Sequence, residues 1–294
     1  MKTVLFTGAT GGLGSCCIRR LAERGWTVFA CGTRTDRLQD LAKEEAVIPI
    51  VMDVTDLQSV QQARATVMTH TLSLDAVVNF AGTAAFGSLV EGDPATQCER
   101  LLDLNVLGTV RVNRVFFDLV ERGQGRIINC SSSAGWMKAQ PFGGPYVLSK
   151  RALEAYNDSL RRELMYIDIP VIKIQPGTFR TNIGRGVQED FDGTLAGTEH
   201  YDYVLRKMKP MMDFIFRHAR DPEAVARVVV RALESRHPKS RYRVGSGLLL
   251  SLLELLPEPC VDGVYKMLFK EKGSTAGAAV RRDRHPDPGG RYGG

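Results

Sequence analysis

From the first residue to about 245, short β-branched runs alternate with stretches whose apolar positions recur every three or four residues. The runs predict strands at Thr3–Thr7, Thr27–Ala30, Val47–Met52, Ala76–Asn79, Arg126–Cys130, Val171–Gln175 and Arg241–Val244. The amphipathic stretches predict helices over Gly14–Arg24, Arg37–Lys43, Leu57–Thr69, Ala95–Glu121, Tyr146–Met165 and Pro222–Glu234. Asp93-Pro94 and Asp221-Pro222 each set a capping acid before a proline at the first helical position. Strand and helix in strict alternation imply parallel strands joined by crossover helices, hence an α/β fold with a seven-stranded parallel sheet covered on both faces.

Two segments break the rhythm. Residues 178–220 run long between strand and helix and carry Phe191, Tyr201, Tyr203, Met208, Met211, Met212, Phe214 and Phe216, the composition of a semi-ordered lid over an apolar ligand. Residues 246–270 hold two further helix candidates, near Leu248–Leu256 and Val261–Phe269, separated by Pro257 and Pro259. Residues 271–294 are rich in glycine and charge without apolar periodicity and read as a disordered tail. One domain over 1–270 accounts for the rest.

The first strand runs into Thr7-Gly8-Ala9-Thr10-Gly11-Gly12-Leu13-Gly14 and then a helix. A glycine turn at a strand-to-helix junction aims backbone N–H groups and the positive helix end at a pyrophosphate, which makes the fold a doubly wound Rossmann type and assigns Gly8, Thr10, Gly12, Leu13 and Gly14 to a dinucleotide. After the second strand stands Ala30-Cys31-Gly32-Thr33-Arg34-Thr35-Asp36. An acid there holds a free ribose hydroxyl and an arginine holds a 2′-phosphate, so Arg34 favours NADP(H) over NAD(H). Asp36 is the alternative, as the ribose acid, if the strand runs further than Ala30. Asp53-Val54 follows the third strand, placed to meet the adenine, and Asn79-Phe80-Ala81-Gly82 follows the fourth.

The candidate chemistry lies at Tyr146-Val147-Leu148-Ser149-Lys150, where a four-residue spacing puts Tyr146 and Lys150 on one helix face. A phenol ionises near pH 10, so proton exchange at neutral pH requires its anion to be stabilised; an ammonium about 4 Å away is worth up to ~4 kcal/mol at an effective dielectric near 20. The fifth strand ends in Asn129-Cys130-Ser131-Ser132-Ser133-Ala134-Gly135. A hydroxyl on the carboxyl edge of such a sheet can orient a carbonyl toward the tyrosine, and Ser132 is preferred for it.

Taken in order, Thr7-Gly8-x-x-x-Gly12-x-Gly14, Asp53-Val54, Asn79-x-Ala81-Gly82, Asn105-Val106-x-Gly108, Ser132-x-x-Gly135, Tyr146-x-x-x-Lys150 and Pro176-Gly177-x-x-x-Thr181 resemble the short-chain dehydrogenase/reductase family over residues 1–245. The resemblance implies that Tyr146 is the general acid in reduction and the base in oxidation. By the same resemblance, Lys150 binds the nicotinamide ribose and lowers the tyrosine pKa, Ser132 polarises the carbonyl, Asn105 holds a water in the proton relay, and Pro176, Gly177, Thr178 and Thr181 meet the nicotinamide end. Two departures stand out: Phe80 replaces a usual asparagine, and the interval from Ser132 to Tyr146 is one longer than usual, which Ser133 would restore. The lid and the C-terminal helices resemble the branch with 17β-hydroxysteroid and retinol dehydrogenases, implying a bulky hydrophobic alcohol or ketone and a homodimer or homotetramer. Reduction of small ketones or acyl-chain carbonyls is the alternative within enzymes; a non-catalytic NADP(H)-binding sensor or scaffold is the alternative outside them.

Charge and cysteine usage narrow the partners. The net charge of +6 includes Arg281, Arg282, Arg284 and Arg291 of the tail, which argues against a nucleic-acid surface. Six cysteines without C-x-x-C spacing or histidine partners predict free thiols and no metal. The apolar start is too short for a signal peptide, and Leu248–Leu256 is too short and interrupted to span a bilayer, so the expected location is cytoplasmic with membrane contact at most peripheral.

Overall fold

The computed structural model describes residues 2–245 and 254–269. Seven strands, β1 (Lys2–Thr7), β2 (Trp26–Gly32), β3 (Val47–Val51), β4 (Ala76–Asn79), β5 (Arg126–Cys130), β6 (Val171–Pro176) and β7 (Arg241–Val244), form one sheet in the order β3-β2-β1-β4-β5-β6-β7. Every pairing is parallel. The order reverses between β1 and β4, and at such a switch point the loops on either side diverge and leave a crevice at the carboxyl ends.

Side-chain alternation divides the core. Val4 and Phe6 of β1, Ile128 of β5 and Ile174 of β6 point to one face, covered by Cys17, Ile18 and Leu21 of α1 (Gly12–Glu23), Leu38 and Leu41 of α2 (Thr35–Leu41), and Val225 and Val229 from further along the chain. Leu5, Val77, Ile127 and Val171 point to the other, against Val60 and Val67 of α3 (Leu57–Met68) and, from two further helices, Val112, Phe116 and Leu164. Both faces are covered, so buried strands read as continuous apolar runs.

The stretch expected as one helix over Ala95–Glu121 is three pieces: α4 (Pro94–Leu102), a π turn over Asp103–Leu107, and α5 (Gly108–Arg122). Asp93 caps α4 through the Thr96 N–H at 3.1 Å, with Pro94 at the first helical position. α6 spans Gly144–Leu164.

Between β6 and α9 (Glu223–Glu234), the segment expected as a semi-ordered lid is two helices, α7 (Asn182–Gly197) and α8 (Asp202–Arg217). Phe191, Leu205 and Met208 are buried there with Phe86 and with Phe269 of α10 (Glu258–Phe269), a third small core that orders the segment. Asp221 accepts the Glu223 N–H at 2.9 Å, but Pro222 is the cap of α9 rather than its first residue, one place from the expectation. The Leu248–Leu256 helix and the 271–294 tail lie wholly or largely outside the described residues. Among the described residues no helix is long and apolar enough to cross a membrane, and no group of His, Cys, Asp and Glu has the arrangement of a metal site.

Candidate active site

The glycine turn is held by backbone contact. Gly8 has φ +68°, and a Cβ on it would come within 2.5 Å of the Phe80 carbonyl group; a Cβ on Gly14 would stand 2.2 Å from the Gly8 oxygen. Neither position admits another residue without moving the chain. Thr7 fastens the turn to the next loop, its Oγ1 accepting the N–H groups of Phe80 and Ala81, both at 3.1 Å. No side chain caps α1, so the first-turn N–H groups of Gly12, Leu13 and Gly14 face the crevice with only Gly11 before them.

From the other side the chain after β6 closes in. Pro176 ends the strand, Gly177 N–H donates to the Val244 oxygen at 2.8 Å, and Thr178 accepts the Arg220 N–H at 3.2 Å. Thr181 precedes α7 so near the glycine turn that a Cβ on Gly12 would lie 3.0 Å from its Cβ. Residues 169 apart in sequence thus meet over the end of α1, and this uncapped, glycine-rich cradle fits a dinucleotide pyrophosphate.

At the far end of the crevice, β2 runs to Gly32, two residues beyond the expected end. Asp36 nonetheless falls within the first turn of α2, its carboxylate 3.9 Å from Arg37. Arg34 caps α2, is exposed, and donates to the Thr10 oxygen, which folds its guanidinium over the glycine turn. Asp53 is turned toward its own loop, accepting from Thr55 N–H at 2.9 Å and Thr55 Oγ1 at 2.7 Å, while Val54 is buried against Gly108. Asn79 is buried, and its Nδ2 donates to Asn113 Oδ1 at 2.7 Å and Asn129 Oδ1 at 2.8 Å. Ala81 and Gly82 border the crevice, and a Cβ on Gly82 would lie 2.8 Å from Asn105 Oδ1 and 3.7 Å from Lys150 Nζ. Phe80, in place of an asparagine, packs its ring 5.1 Å from that of Phe6.

Ser132, Tyr146, Lys150 and Asn105 converge. Ser132 is the side chain that draws the Tyr146 phenol pKa down, and its Oγ accepts the Ala134 N–H at 3.2 Å; Ser133 instead opens a 3-10 turn over Ser133–Gly135. Lys150 Nζ donates to the Cys130 oxygen at 3.1 Å and lies 5.8 Å from the Tyr146 ring centre. Burial pushes the phenol up to about 12, the Ser132 side chain pulls it back, and the half-buried Cys130 thiol adds to the rise. Burial likewise lowers Lys150, opposed by Cys130 and Glu154. The ammonium expected to hold the phenol down is engaged by the Cys130 carbonyl, and desolvation of the phenolate prevails.

Asn105 owes its place to the π turn. Its Nδ2 donates to the Thr83 oxygen and to Ser149 Oγ, both at 3.0 Å, and its Oδ1 accepts the Thr83 N–H at 2.9 Å. Ser149 Oγ in turn donates to the Tyr146 oxygen at 2.8 Å. Thr83 and Ser149 are therefore supporting residues that the motifs did not single out, while Thr7 opens the glycine motif and gains a fastening role. Of the first two, Ser149 alone carried a signal, as the residue before Lys150.

An aromatic cluster begins four residues before Tyr146. Phe142, with φ +61°, sets its ring between Phe86 at 5.8 Å and Tyr201 at 5.2 Å, and Phe86 lies 5.0 Å from Phe191. Glu91 accepts from Thr198 Oγ1 at 2.7 Å and from the His200 N–H at 3.0 Å, tying the loop after β4 to the α7–α8 corner.

Comparison with known proteins agrees with this geometry. The family model described as short chain dehydrogenase matches residues 2–192. Human retinol dehydrogenase 5 is 33% identical over 279 residues, covering 89% of this chain and 86% of its own. A short-chain dehydrogenase from Streptomyces avermitilis superposes with a TM-score of 0.72 at 27% identity, covering 91% of this chain and 95% of that one. The closed form of a serine dehydrogenase complexed with NADP+ gives 0.70 at 26% identity, covering 82% and 93%. The chain belongs to the short-chain dehydrogenase family, is an oxidoreductase, and resembles the family's retinol dehydrogenases.

Proposed function

We propose that this protein interconverts an alcohol and its ketone or aldehyde on a bulky hydrophobic substrate such as a steroid or retinoid, with NADP(H) as redox partner. The convergence of Ser132, Tyr146 and Lys150 beside the glycine turn carries the reading. Gly8 to Gly14, Arg34 and Thr178 to Thr181 would hold a nicotinamide dinucleotide, which would supply or accept the hydride when bound.

The protein's own residues handle the proton and the substrate oxygen. Ser132 Oγ hydrogen-bonds that oxygen and polarises the carbonyl. Tyr146, which keeps its proton up to about 12, gives it to the developing alkoxide in reduction. Oxidation needs the phenolate, and Lys150 is the cation placed to stabilise it. Asn105, fixed by Thr83 and Ser149, holds the π turn behind Lys150 and presents the polar groups through which a proton leaves the site.

Arg34 supports NADP(H): it is the guanidinium beside the glycine turn, and the serine dehydrogenase with a similar fold was solved with NADP+. The half-buried rings of Phe142 and Tyr201, packed on the buried Phe86 and Phe191, support a large apolar substrate, as does the name of the human relative. Turnover of steroids, retinal and small ketones, each with NADPH and NADH, tests the whole. Reduction of the large substrates with NADPH is expected; preference for small ketones refutes the substrate class.

A further inference from the structure

β6 is buried along its length, yet it is not apolar. Val171, Lys173 and Gln175 share the face covered by α6, and the last two meet an acidic stripe on that helix. Lys173 Nζ lies 2.8 Å from Glu154 Oε2 and 2.8 Å from Asp158 Oδ1, and Gln175 Nε2 donates to Glu154 Oε1 at 2.8 Å. Both oxygens of Glu154 are engaged, and its side chain is 12% exposed. A buried ion pair is a weak way to stabilise a fold, because desolvating the charges offsets their attraction.

The cluster sits one helical turn behind the proton machinery. Glu154 follows Lys150 by four residues and shares its side of α6. Both pack beneath the serine turn: a Cβ on Gly135 would meet Ser131 Oγ at 2.7 Å, Glu154 Cγ at 2.9 Å and the Lys150 oxygen at 3.1 Å. We propose that Glu154, clamped by Lys173 and Gln175, is a positioning residue that maintains the charge of Lys150 and thereby sets the pH range in which Tyr146 exchanges its proton. This rests on the proton-relay reading of Tyr146 and Lys150.

The charges around the pair fix the sign. Lys150 is faced by Tyr146 and Glu154 on its own helix and by Cys130 of β5, while the π turn offers it only the neutral Asn105. Glu154 is faced by Lys173 of β6, Asp158 of α6 and Arg243 of β7. Removing the Glu154 charge withdraws the anion that helps keep Lys150 protonated, so Lys150 releases its proton at lower pH. Removing Lys173 withdraws a competing cation, so Lys150 holds its proton longer.

The test is the titration of Lys150 in the protein itself, followed by NMR of 13C-labelled lysine and assigned with a Lys150→Arg variant. Glu154→Gln is expected to lower the midpoint by about half a unit or more, Lys173→Met to raise it, and the double variant to return it toward wild type. The alkaline limb of kcat/KM should follow the same signs. Midpoints unmoved in both single variants, or moved in the same direction, overturn the proposal. Thermal unfolding of each variant identifies one that does not fold, in which case the other carries the test. Absence of turnover by wild type would refute the oxidoreductase reading while leaving the titration to decide this one.

Discussion

The Gly8 carbonyl oxygen occupies the space that a side chain on Gly14 would need, 2.2 Å from where its Cβ would stand. The two glycines therefore fix how closely β1 and α1 approach, and the cradle between them depends on that approach.

Gly14→Ala forces this contact apart. Overpacking of this kind costs typically ~1–3 kcal/mol, a fall of about 2–4 °C in Tm per kcal/mol for a chain of this size, and dinucleotide affinity falls with it. Calorimetry and cofactor titration check both; an unchanged Tm refutes the packing argument.

A second prediction concerns the phenol. Near-ultraviolet titration of the protein against a Tyr146→Phe variant should show one extra phenolate appearing around pH 12, and a midpoint at or below the ordinary value near 10 contradicts it. The linkage sign follows. A phenol whose folded pKa lies above its unfolded value binds its proton more tightly when folded, so its contribution to stability is complete below about pH 10 and is lost as pH rises through about 12.

Arg34 is exposed, so its removal should leave the fold intact. Arg34→Ala is expected to weaken NADPH binding by about tenfold or more, the range of a charge-assisted hydrogen bond, with little change for NADH. Equal loss for both cofactors assigns Arg34 to the pyrophosphate end instead and removes its role in discrimination.

Phe142 links the loop before Tyr146 to the lid. Truncation to alanine removes its ring contacts with Phe86 and Tyr201 and should speed hydrogen exchange over residues 182–217 while raising KM for large substrates more than for small ones. Unchanged exchange in α7 and α8 refutes the coupling.

Most of the sheet was legible because both its faces are covered: strands such as β1, β2 and β4 then carry apolar residues toward both faces, and such runs are conspicuous between amphipathic helices. The lid helices were not. α7 contains Gly184, Gly186, Gly193 and Gly197, and α8 contains Pro210, so local preference argues against helices that burial of Phe191, Leu205 and Met208 enforces. The π turn escaped for a different reason, since apolar periodicity continues on both sides of Asp103–Leu107 and one inserted residue leaves no mark on it. Of the site, Tyr146, Lys150 and Ser132 could be found from spacing and strand-end position. The Glu154–Lys173 contact could not, because it depends on how α6 lies across β6.

The central claim is that Tyr146 transfers the proton that accompanies hydride transfer. Its most direct test is single-turnover transfer of deuterium from 4-deuterated NADPH to a hydrophobic ketone or aldehyde, comparing wild type with Tyr146→Phe. Deuterium is expected on the product carbon with wild type, and a rate about 10²–10⁴-fold lower for the variant with NADPH binding unchanged. Equal rates for the two proteins, or no label in any product across the panel, would contradict it.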